Sequence, residues 1–465
     1  MPRPLRVAVV GSGPSGIYAT DALVSQSEVQ VTVDIIDRLP VPFGLVRYGV
    51  APDHVSIRSV RDTLNKVLDK PGVRFLGNVQ IGSDISLAEL HEYFDAVLFT
   101  YGASADRRLG IPGEDLEGSV AATDFVAWYC GHPDADRQTF EHLVPTATAA
   151  VVIGVGNVAV DVTRVLAKTV AELEHTDMPQ HVLDTLASSR ISDVHLLGRR
   201  GPAQATFTTK ELRELGELQD ADVIVDPLGV AFDAASETAI ASDKAVARNV
   251  EVIKEWGNRS PAGSARRVHV QFLGRPVELR GDDRVREVVV ERTQLDGSGG
   301  VTGTGQTFVI PADLVVRSVG YRGTALQGAP FDERGNVIPH VDGRVQADGV
   351  AVPGEYVAGW IKRGPTGIIG TNKKDAAATV ASLLADAERL APAPKGQVSD
   401  FDAFLAKRGL AVVDTDGWRA IDVAERQLGQ SRGRDRTTIH DRQALVALAS
   451  TPLPPSSAPV TGSDG

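Results

Sequence analysis

The sequence predicts an α/β fold built from two parallel-sheet units, and three observations carry that expectation. Short apolar runs rich in β-branched residues recur between helical stretches, as expected for strands buried on both faces with helices as crossovers. Two of those runs end in glycine-rich turns that open a helix: Val9-Val10-Gly11-Ser12-Gly13-Pro14-Ser15-Gly16, and Val152-Ile153-Gly154-Val155-Gly156-Asn157-Val158-Ala159. The apolar run that follows each turn ends in opposite charge, Asp37 after the first and Arg199-Arg200 after the second.

The elements follow in order. Residues 5–10 read as a strand, 14–26 as a helix and 31–36 as the next strand. Residues 53–70 have helical spacing, with Asp53 as N-cap and Gly72 just beyond the end. Residues 95–100 form another strand, closed by Gly102. The pattern restarts with strand 149–153, helix 156–167 and strand 191–197; the long polar connection 168–190 carries an extra helix. Residues 268–273 and 285–291 read as antiparallel strands of a hairpin-rich insert, and 313–318 as a strand ending at Gly320-Tyr321. From about Glu355 a short strand, a glycine- and proline-containing segment and a long helix read as the chain returning to its first domain. Residues 397–450 are helical with loops, and the Pro-, Ser- and Gly-rich stretch 451–465 reads as a disordered tail. The expected division is therefore 1–105 and 326–450 for one domain, with 106–325 inserted as the other.

Composition narrows the class. A chain of 465 residues exceeds one core, and 42% apolar with 23% charged residues is ordinary globular composition. A net charge of −12 argues against broad nucleic-acid binding and leaves room for a local basic patch. Cys130 is the only cysteine. That excludes an intramolecular disulfide, a CxxC redox pair and a four-thiolate iron–sulfur cluster, and with them the disulfide reductases that share a two-nucleotide architecture. A lone thiol suits a reducing cytoplasm, and no signal-peptide pattern or membrane-length apolar run is expected. No metal of the chain's own is expected.

The turns have a chemistry. Gly11 permits a tight bend, Gly13 lets backbone approach a pyrophosphate, and Gly16 lets helix pack on strand, with the helix amides facing the anion. An acid at the end of the second strand accepts hydrogen bonds from ribose hydroxyls, whereas an arginine pair suits a 2′-phosphate. Ala159 stands in the third glycine position of the second turn, which the pattern tolerates. A purely structural turn and a solvated arginine pair are the plainer alternatives. Position between strand and helix weighs against the first, and position after a strand of a βαβ unit against the second. Two Rossmann-like units holding two different dinucleotides, the second NADP, imply electrons passing between cofactors.

Residues 37–54 contain three prolines and two glycines, so most of this stretch is an ordered loop. It resembles the signature of the adrenodoxin reductase type of ferredoxin–NADP reductases, as do residues 198–202, 207–215 and 359–367. The similarity runs from about residue 5 to about 390, and more weakly to about 450. The resemblance implies a glutathione reductase-like architecture with FAD in the first domain and NADP(H) in the second. It also implies hydride transfer from NADPH to FAD and release of single electrons to a ferredoxin-type iron–sulfur protein. By position, Ser15, Asp37, Leu45 and Val79 would line the FAD, with Asp37, where the family more often has glutamate, on the adenosine ribose. Trp360 and the Gly367-Ile368-Ile369 backbone would contact the flavin ring, with Gly367 also on the NADP side. Val155, Gly156, Asn157 and Val158 would cradle NADP phosphates, Arg199 and Arg200 the 2′-phosphate, and Glu211 the nicotinamide half. His54 and Glu214 match residues near flavin and nicotinamide, with tuning or proton-relay roles; a packed helix-start histidine and an ordinary helix-face charge are the alternatives. Arg58, Arg61 and Lys66 are expected on a solvated helix face, Arg266-Arg267 at a loop end before a strand, and Cys130 as a packed thiol. Either basic cluster is a candidate dock for an acidic ferredoxin. An NADPH–quinone reductase or diaphorase, a flavin subunit of a larger complex and a non-catalytic NADPH sensor are the rival readings.

Overall fold

The strand Leu5–Val10, buried at every residue, is the member on which the first unit is built. In the computed structural model, which describes residues 3–451, Val31–Ile36 and Ala96–Phe99 pair with it in parallel on either side. Val73–Leu76 extends the sheet beyond one neighbour and Val350–Val357 beyond the other; Arg344–Ala347 and His340–Val341 then add antiparallel strands at that edge. The helix Pro14–Ser25 has proline in its first turn, where a missing N–H costs nothing. The C-terminal helices Val398–Lys407, Thr415–Gln430 and Arg442–Ala449 belong to the same unit, Phe401 packing edge-on to Phe94 at 4.9 Å. Except for Thr451, the expected tail lies outside the described residues.

The second unit is inserted in the first. It comprises Tyr48–Val55 and Ser104–Tyr321, while the first comprises described residues 3–47, 56–103 and 322–451. The segment Tyr48–Val55, expected with the first domain, packs in the second because Asp53 and His54 pair with charged residues there. For the same reason Asp53 is not the cap of a helix over 53–70. That stretch breaks into Val55–Arg58 and Val60–Leu68, and Arg58 is buried with its guanidinium donating to the carbonyl of Arg47 instead of lying in solvent.

The second sheet has six parallel strands in the order Ser119–Ala121, Leu314–Arg317, Ala149–Ile153, Asp193–Leu197, Arg266–Gln271, Ala221–Val225. Arg266–Gln271, expected in an antiparallel hairpin, lies between two parallel partners with Val268 and Val270 fully buried. The antiparallel ladder is formed by Gly274–Arg280, Glu287–Leu295 and Val301–Pro311. The connection over 168–190 carries two helices, Val170–Leu173 and Gln180–Ala187. Arg266 and Arg267 lie within the strand: Arg266 donates to the carbonyls of Ala167 and Lys168, closing the C-terminus of helix Asn157–Ala167, and Arg267 pairs with Asp193. Cys130 is buried, its thiol facing the carbonyl of Val50. Among the described residues no helix is long and apolar enough to cross a membrane.

Both glycine turns are built the same way. Gly11 has φ +106°, and a Cβ there would lie 2.7 Å from Cα of Tyr101; Gly154 has φ +137°, and a Cβ would lie 2.1 Å from the carbonyl oxygen of Ser318. Each turn thus presses on backbone just past the neighbouring parallel strand, where only glycine fits. Gly154→Ala is expected to lower the thermal midpoint, with a loss of about 2 kcal/mol or more from strain and contact. Gly257→Ala, at a helix end where an added Cβ meets nothing within 4 Å, should leave the midpoint unchanged or raise it. Equal midpoints for the two variants would refute the packing argument.

Candidate functional site: two glycine turns and a buried charge cluster

In the first unit Asp37 holds the turn from below. Its Oδ2 accepts from the Ser12 amide at 2.7 Å and from the Ser12 hydroxyl, and its Oδ1 accepts from the Leu39 amide at 2.9 Å. A carboxylate has about four lone-pair directions, so one on Oδ1 is left for a ligand hydroxyl. A Cβ on Gly13 would meet nothing within 4 Å, so the space over the turn is open, whereas one on Gly16 would lie 2.0 Å from the Gly11 carbonyl. Ser15 is buried, its Oγ has no partner among the described residues, and Gly359 at φ +82° comes so close that a Cβ would sit 2.6 Å from that oxygen. An open cradle with a buried, unanswered hydroxyl fits a bound pyrophosphate.

Gly359 also brings the late segment to this turn. Its amide donates to Asp375, which pairs with Lys362 at 2.9 Å. Trp360–Arg363 forms one helical turn; Gly367 follows at φ +83°, then Ile368, two-thirds exposed, then helix Ile369–Ala385 with no acid in its first turn. Leu45 is partly exposed on its own short helix, Leu45–Tyr48. The Val79 side chain is buried in the core with Ile36 and Leu76, and its amide donates to the Asp37 carbonyl.

The loop after Asp37 is anchored by the C-terminal helices. Phe43, buried at φ +85°, meets Trp418 edge-on at 5.6 Å. Arg47 is fully buried and bidentate on Glu425, which also accepts from Arg436 at 2.7 Å and from the Ile439 amide at 2.8 Å. Burial works against the charge of Glu425, but Arg47 and Arg436 hold its carboxyl below the usual range.

In the second unit the turn is latched to a following loop. The Val155 carbonyl accepts from the Thr206 amide at 2.9 Å, and Asn157 Oδ1 accepts from the Thr208 amide at 2.8 Å. The Gly156 position is nearly open, an added Cβ meeting only Thr206 Oγ1 at 3.4 Å, and Val158 lies in the first turn of the helix. Arg199 is exposed and Arg200 half-buried at the end of strand Asp193–Leu197, and neither forms an ion pair among the described residues.

Behind this turn lies a buried cluster. His54 Nε2 is 2.9 Å from Asp161 Oδ1 and 2.5 Å from Glu211 Oε2, and its Nδ1 is 3.1 Å from Glu214. Arg164, 1% exposed, bonds Asp53 through Nε at 2.6 Å and a terminal nitrogen at 3.0 Å, reaches Asp161 at 3.0 Å, and lies within 3.6 Å of both Glu211 and Glu214. Lys168 adds a second cation on Asp53 at 2.8 Å. His54, Asp161 and Glu211 are close enough together to ligate a metal, and an Arg164 nitrogen sits 2.6 Å from His54 Nε2. Burial opposes the imidazolium, yet hydrogen bonds to Asp161 and Glu211 lift His54 to about 9. Burial raises the Asp161 and Glu214 carboxyls, while Arg164 and Lys168 hold Asp53 far below its usual value despite burial.

The structure thus brings together His54, Glu211 and Glu214, and sequence reasoning missed Asp53, Asp161, Arg164 and Lys168 as their partners. A signal was present. After Asn157, helix Asn157–Ala167 is apolar but for Asp161, Thr163 and Arg164, and charges three apart in a helix buried from Ala159 to Ala167 require internal partners.

No protein-family model matches the chain. The NADPH-ferredoxin reductase FprA of Mycobacterium tuberculosis is 43% identical over 462 residues, covering 96% of this chain and 99% of that protein. The mitochondrial NADPH:adrenodoxin oxidoreductase of Arabidopsis thaliana is 38% identical over 465 residues, 96% of each chain. Among solved structures, Mycobacterium tuberculosis FprA in complex with NADPH has a TM-score of 0.88 and 41% identity, covering 96% of this chain and all of that one.

The raised His54 value has a definite sign. Its contribution to stability is complete below the free-imidazole value of 6.5 and is lost as pH rises through about 9. Nitrogen-15 NMR of labelled histidine should therefore find an imidazolium at His54 at neutral pH, and the thermal midpoint should fall across this window. In His54→Gln that component of the fall should vanish. A neutral His54 ring at pH 7 would overturn the assignment.

Proposed function

Since the chain belongs to the adrenodoxin reductase-type ferredoxin–NADP reductase family, we propose that it is an FAD-dependent oxidoreductase that takes hydride from NADPH and delivers single electrons to a ferredoxin-type iron–sulfur protein. The observation that carries the reading is the contrast between the turns: an acid engaged beneath the first, and beside the second two arginines that form no ion pair among the described residues.

In this reading Gly11, Gly13, Ser15 and Gly16 hold the FAD pyrophosphate, and the open lone pair of Asp37 takes the adenosine ribose. Leu45 and the Val79 backbone line the cofactor. Trp360, Gly367, Ile368 and Ile369 face the flavin ring, where the N-terminus of helix Ile369–Ala385 offers amides to the charge that develops on reduction. FAD supplies the conversion between a two-electron hydride donor and a one-electron acceptor. Val155, Gly156, Asn157 and Val158 hold the NADP phosphates, Arg199 and Arg200 the 2′-phosphate, and Glu211 the nicotinamide half. Hydride transfer needs no acid or base, so His54 and Glu214 set the charge and hold protons near the reacting groups. The single buried cysteine suits a cytoplasmic setting.

Purified protein should be yellow, bleach under NADPH, and reduce cytochrome c much faster once a ferredoxin is added. A flavin-free protein, or quinone turnover with no response to any of a panel of ferredoxins, would sink the proposal. Replacing Arg199 and Arg200 together by alanine should raise KM for NADPH about 10- to 100-fold, the scale of lost charged hydrogen bonds, with little effect on KM for NADH. Equal effects on both would refute the phosphate role.

A further inference from the structure

The turn that carries Arg199 and Arg200 is held from behind by three hydrogen bonds to consecutive carbonyls. The Gly198 carbonyl accepts from the Gly274 amide at 3.0 Å and the Arg200 carbonyl from the Leu273 amide at 3.1 Å. The carbonyl between them, that of Arg199, accepts from the hydroxyl of Thr293 at 2.7 Å. The two outer bonds come from backbone and persist whatever side chains stand there. The middle bond alone depends on a side chain.

Thr293 is placed for this with unusual care by its strand. It lies on Glu287–Leu295, the central strand of the three-stranded sheet, where the register shifts between Glu291 and Thr293. Such an irregularity re-aims a side chain, and bulges recur beside functional sites for that reason. Thr293 is 5% exposed, and its amide donates to the Leu273 carbonyl at 2.9 Å. Leu273 has φ +55°, a left-handed conformation that a leucine keeps only when its surroundings impose it. One residue therefore supports both the strained corner that grips Arg200 and the peptide that joins Arg199 to Arg200.

That peptide plane helps set the directions in which both arginine side chains leave the backbone. Rotating it swings the Cα–Cβ bonds on either side, and a fork of donors recognises a phosphate only within narrow angular limits. We propose that Thr293 is a positioning residue that sets the selectivity of this chain for a 2′-phosphorylated dinucleotide, acting through the Arg199–Arg200 peptide and not by touching the ligand. The inference rests on the reading of Arg199 and Arg200 as the 2′-phosphate ligands. The pyrophosphate cradle at Val155–Val158 and the carboxylate of Glu211 stand on other supports, so they are outside the reach of Thr293.

The test uses the flavin-loaded protein and its variants Thr293→Val, which keeps the shape, Thr293→Ala, and Thr293→Ser, which keeps the hydroxyl. Calorimetric titration with 2′,5′-ADP and with 5′-AMP reads the phosphate subsite without turnover. Ferricyanide reduction with NADPH and with NADH reads KM and kcat. Thr293→Val and Thr293→Ala should weaken 2′,5′-ADP and raise KM for NADPH about three- to tenfold, the range for one lost hydrogen bond, with 5′-AMP, NADH and kcat unmoved. Thr293→Ser should restore the parent values. A merely structural threonine would instead lower the thermal midpoint and shift both nucleotide pairs alike, which overturns the inference, as would parent-like binding in both Val and Ala variants. The double alanine variant of Arg199 and Arg200 is measured alongside. If it loses 2′,5′-ADP while the Thr293 variants do not, the positioning role falls and the phosphate role stands; if it keeps 2′,5′-ADP, the underlying reading falls.

Discussion

Arg164 is one guanidinium among four carboxylates, and much of the second unit follows from it. Burying an arginine is costly unless its charge and its N–H donors are answered, and breaking such a buried set by removing one partner costs roughly 3–5 kcal/mol. Asp53 answers it with two short hydrogen bonds, Asp161 with a third, and Glu211 and Glu214 complete the field. The demand for Asp53 draws Tyr48–Val55 into the second unit and ends the helical reading of residues 53–70 before it starts. It also sets the position of His54, whose proton is held by the carboxylates that Arg164 itself gathers.

The two glycine turns show how one backbone construction is given opposite chemistry. Both press a positive-φ glycine against the backbone past a neighbouring strand. In the first, the acid at the end of the next strand is part of the turn's own support, bonded to Ser12 and Leu39. Exchanging it for arginine would remove acceptors the turn needs. In the second, the glycine turn is latched by the Thr206 and Thr208 amides, while the carbonyls of Gly198, Arg199 and Arg200 at the end of the next strand are answered by Gly274, Thr293 and Leu273, and the arginine side chains donate none of these bonds. Their charge is free to face a ligand because the turn does not depend on it. The third glycine follows the same logic. Gly16 is required because a Cβ would lie 2.0 Å from the Gly11 carbonyl, while the second unit accommodates Ala159, fully buried, at the matching place.

What the sequence made legible were features decided within a few residues: the buried strands, the glycine turns, the helices they open and the charges that close the next strands. What it hid was decided by partners far along the chain. Arg58 sits on a stretch with helical spacing and reads as solvated, yet it is buried and donates to a carbonyl of the short helix Leu45–Tyr48. Arg266–Gln271 alternates like a hairpin strand because His269 and Arg267 lie on one face and pair with Asp193, while Val268 and Val270 fill the core on the other. Val79 stands where a ligand is expected, but its side chain completes the core beside Ile36 and Leu76. Asp161 and Arg164 were visible as charges in an apolar helix, and only the fold shows that Asp53 and His54, more than a hundred residues earlier, answer them.

The loop after Asp37 extends this argument to the end of the chain. Its prolines and glycines restrict the backbone, but restriction is not a single shape, and Phe43 and Gly44 both sit at positive φ. A non-glycine residue stays there when packing over-determines it. Trp418 closes over Phe43, and Glu425 receives Arg47 with Arg436 and the Ile439 amide completing its bonds. Trp418 and Glu425 stand on helix Thr415–Gln430, and Arg436 and Ile439 on the connection to the last helix; Glu425 is 378 positions away from Arg47. Through this loop the C-terminal segment backs the first glycine turn: Phe43 donates its amide to the Ser12 carbonyl, and a Cβ on Gly44 would lie 3.1 Å from Gly13. The turn at residues 11–16 is thus backed by a loop that is itself held by Glu425 and Trp418, so its surroundings are set by the far end of the chain as well as by its N-terminal signature.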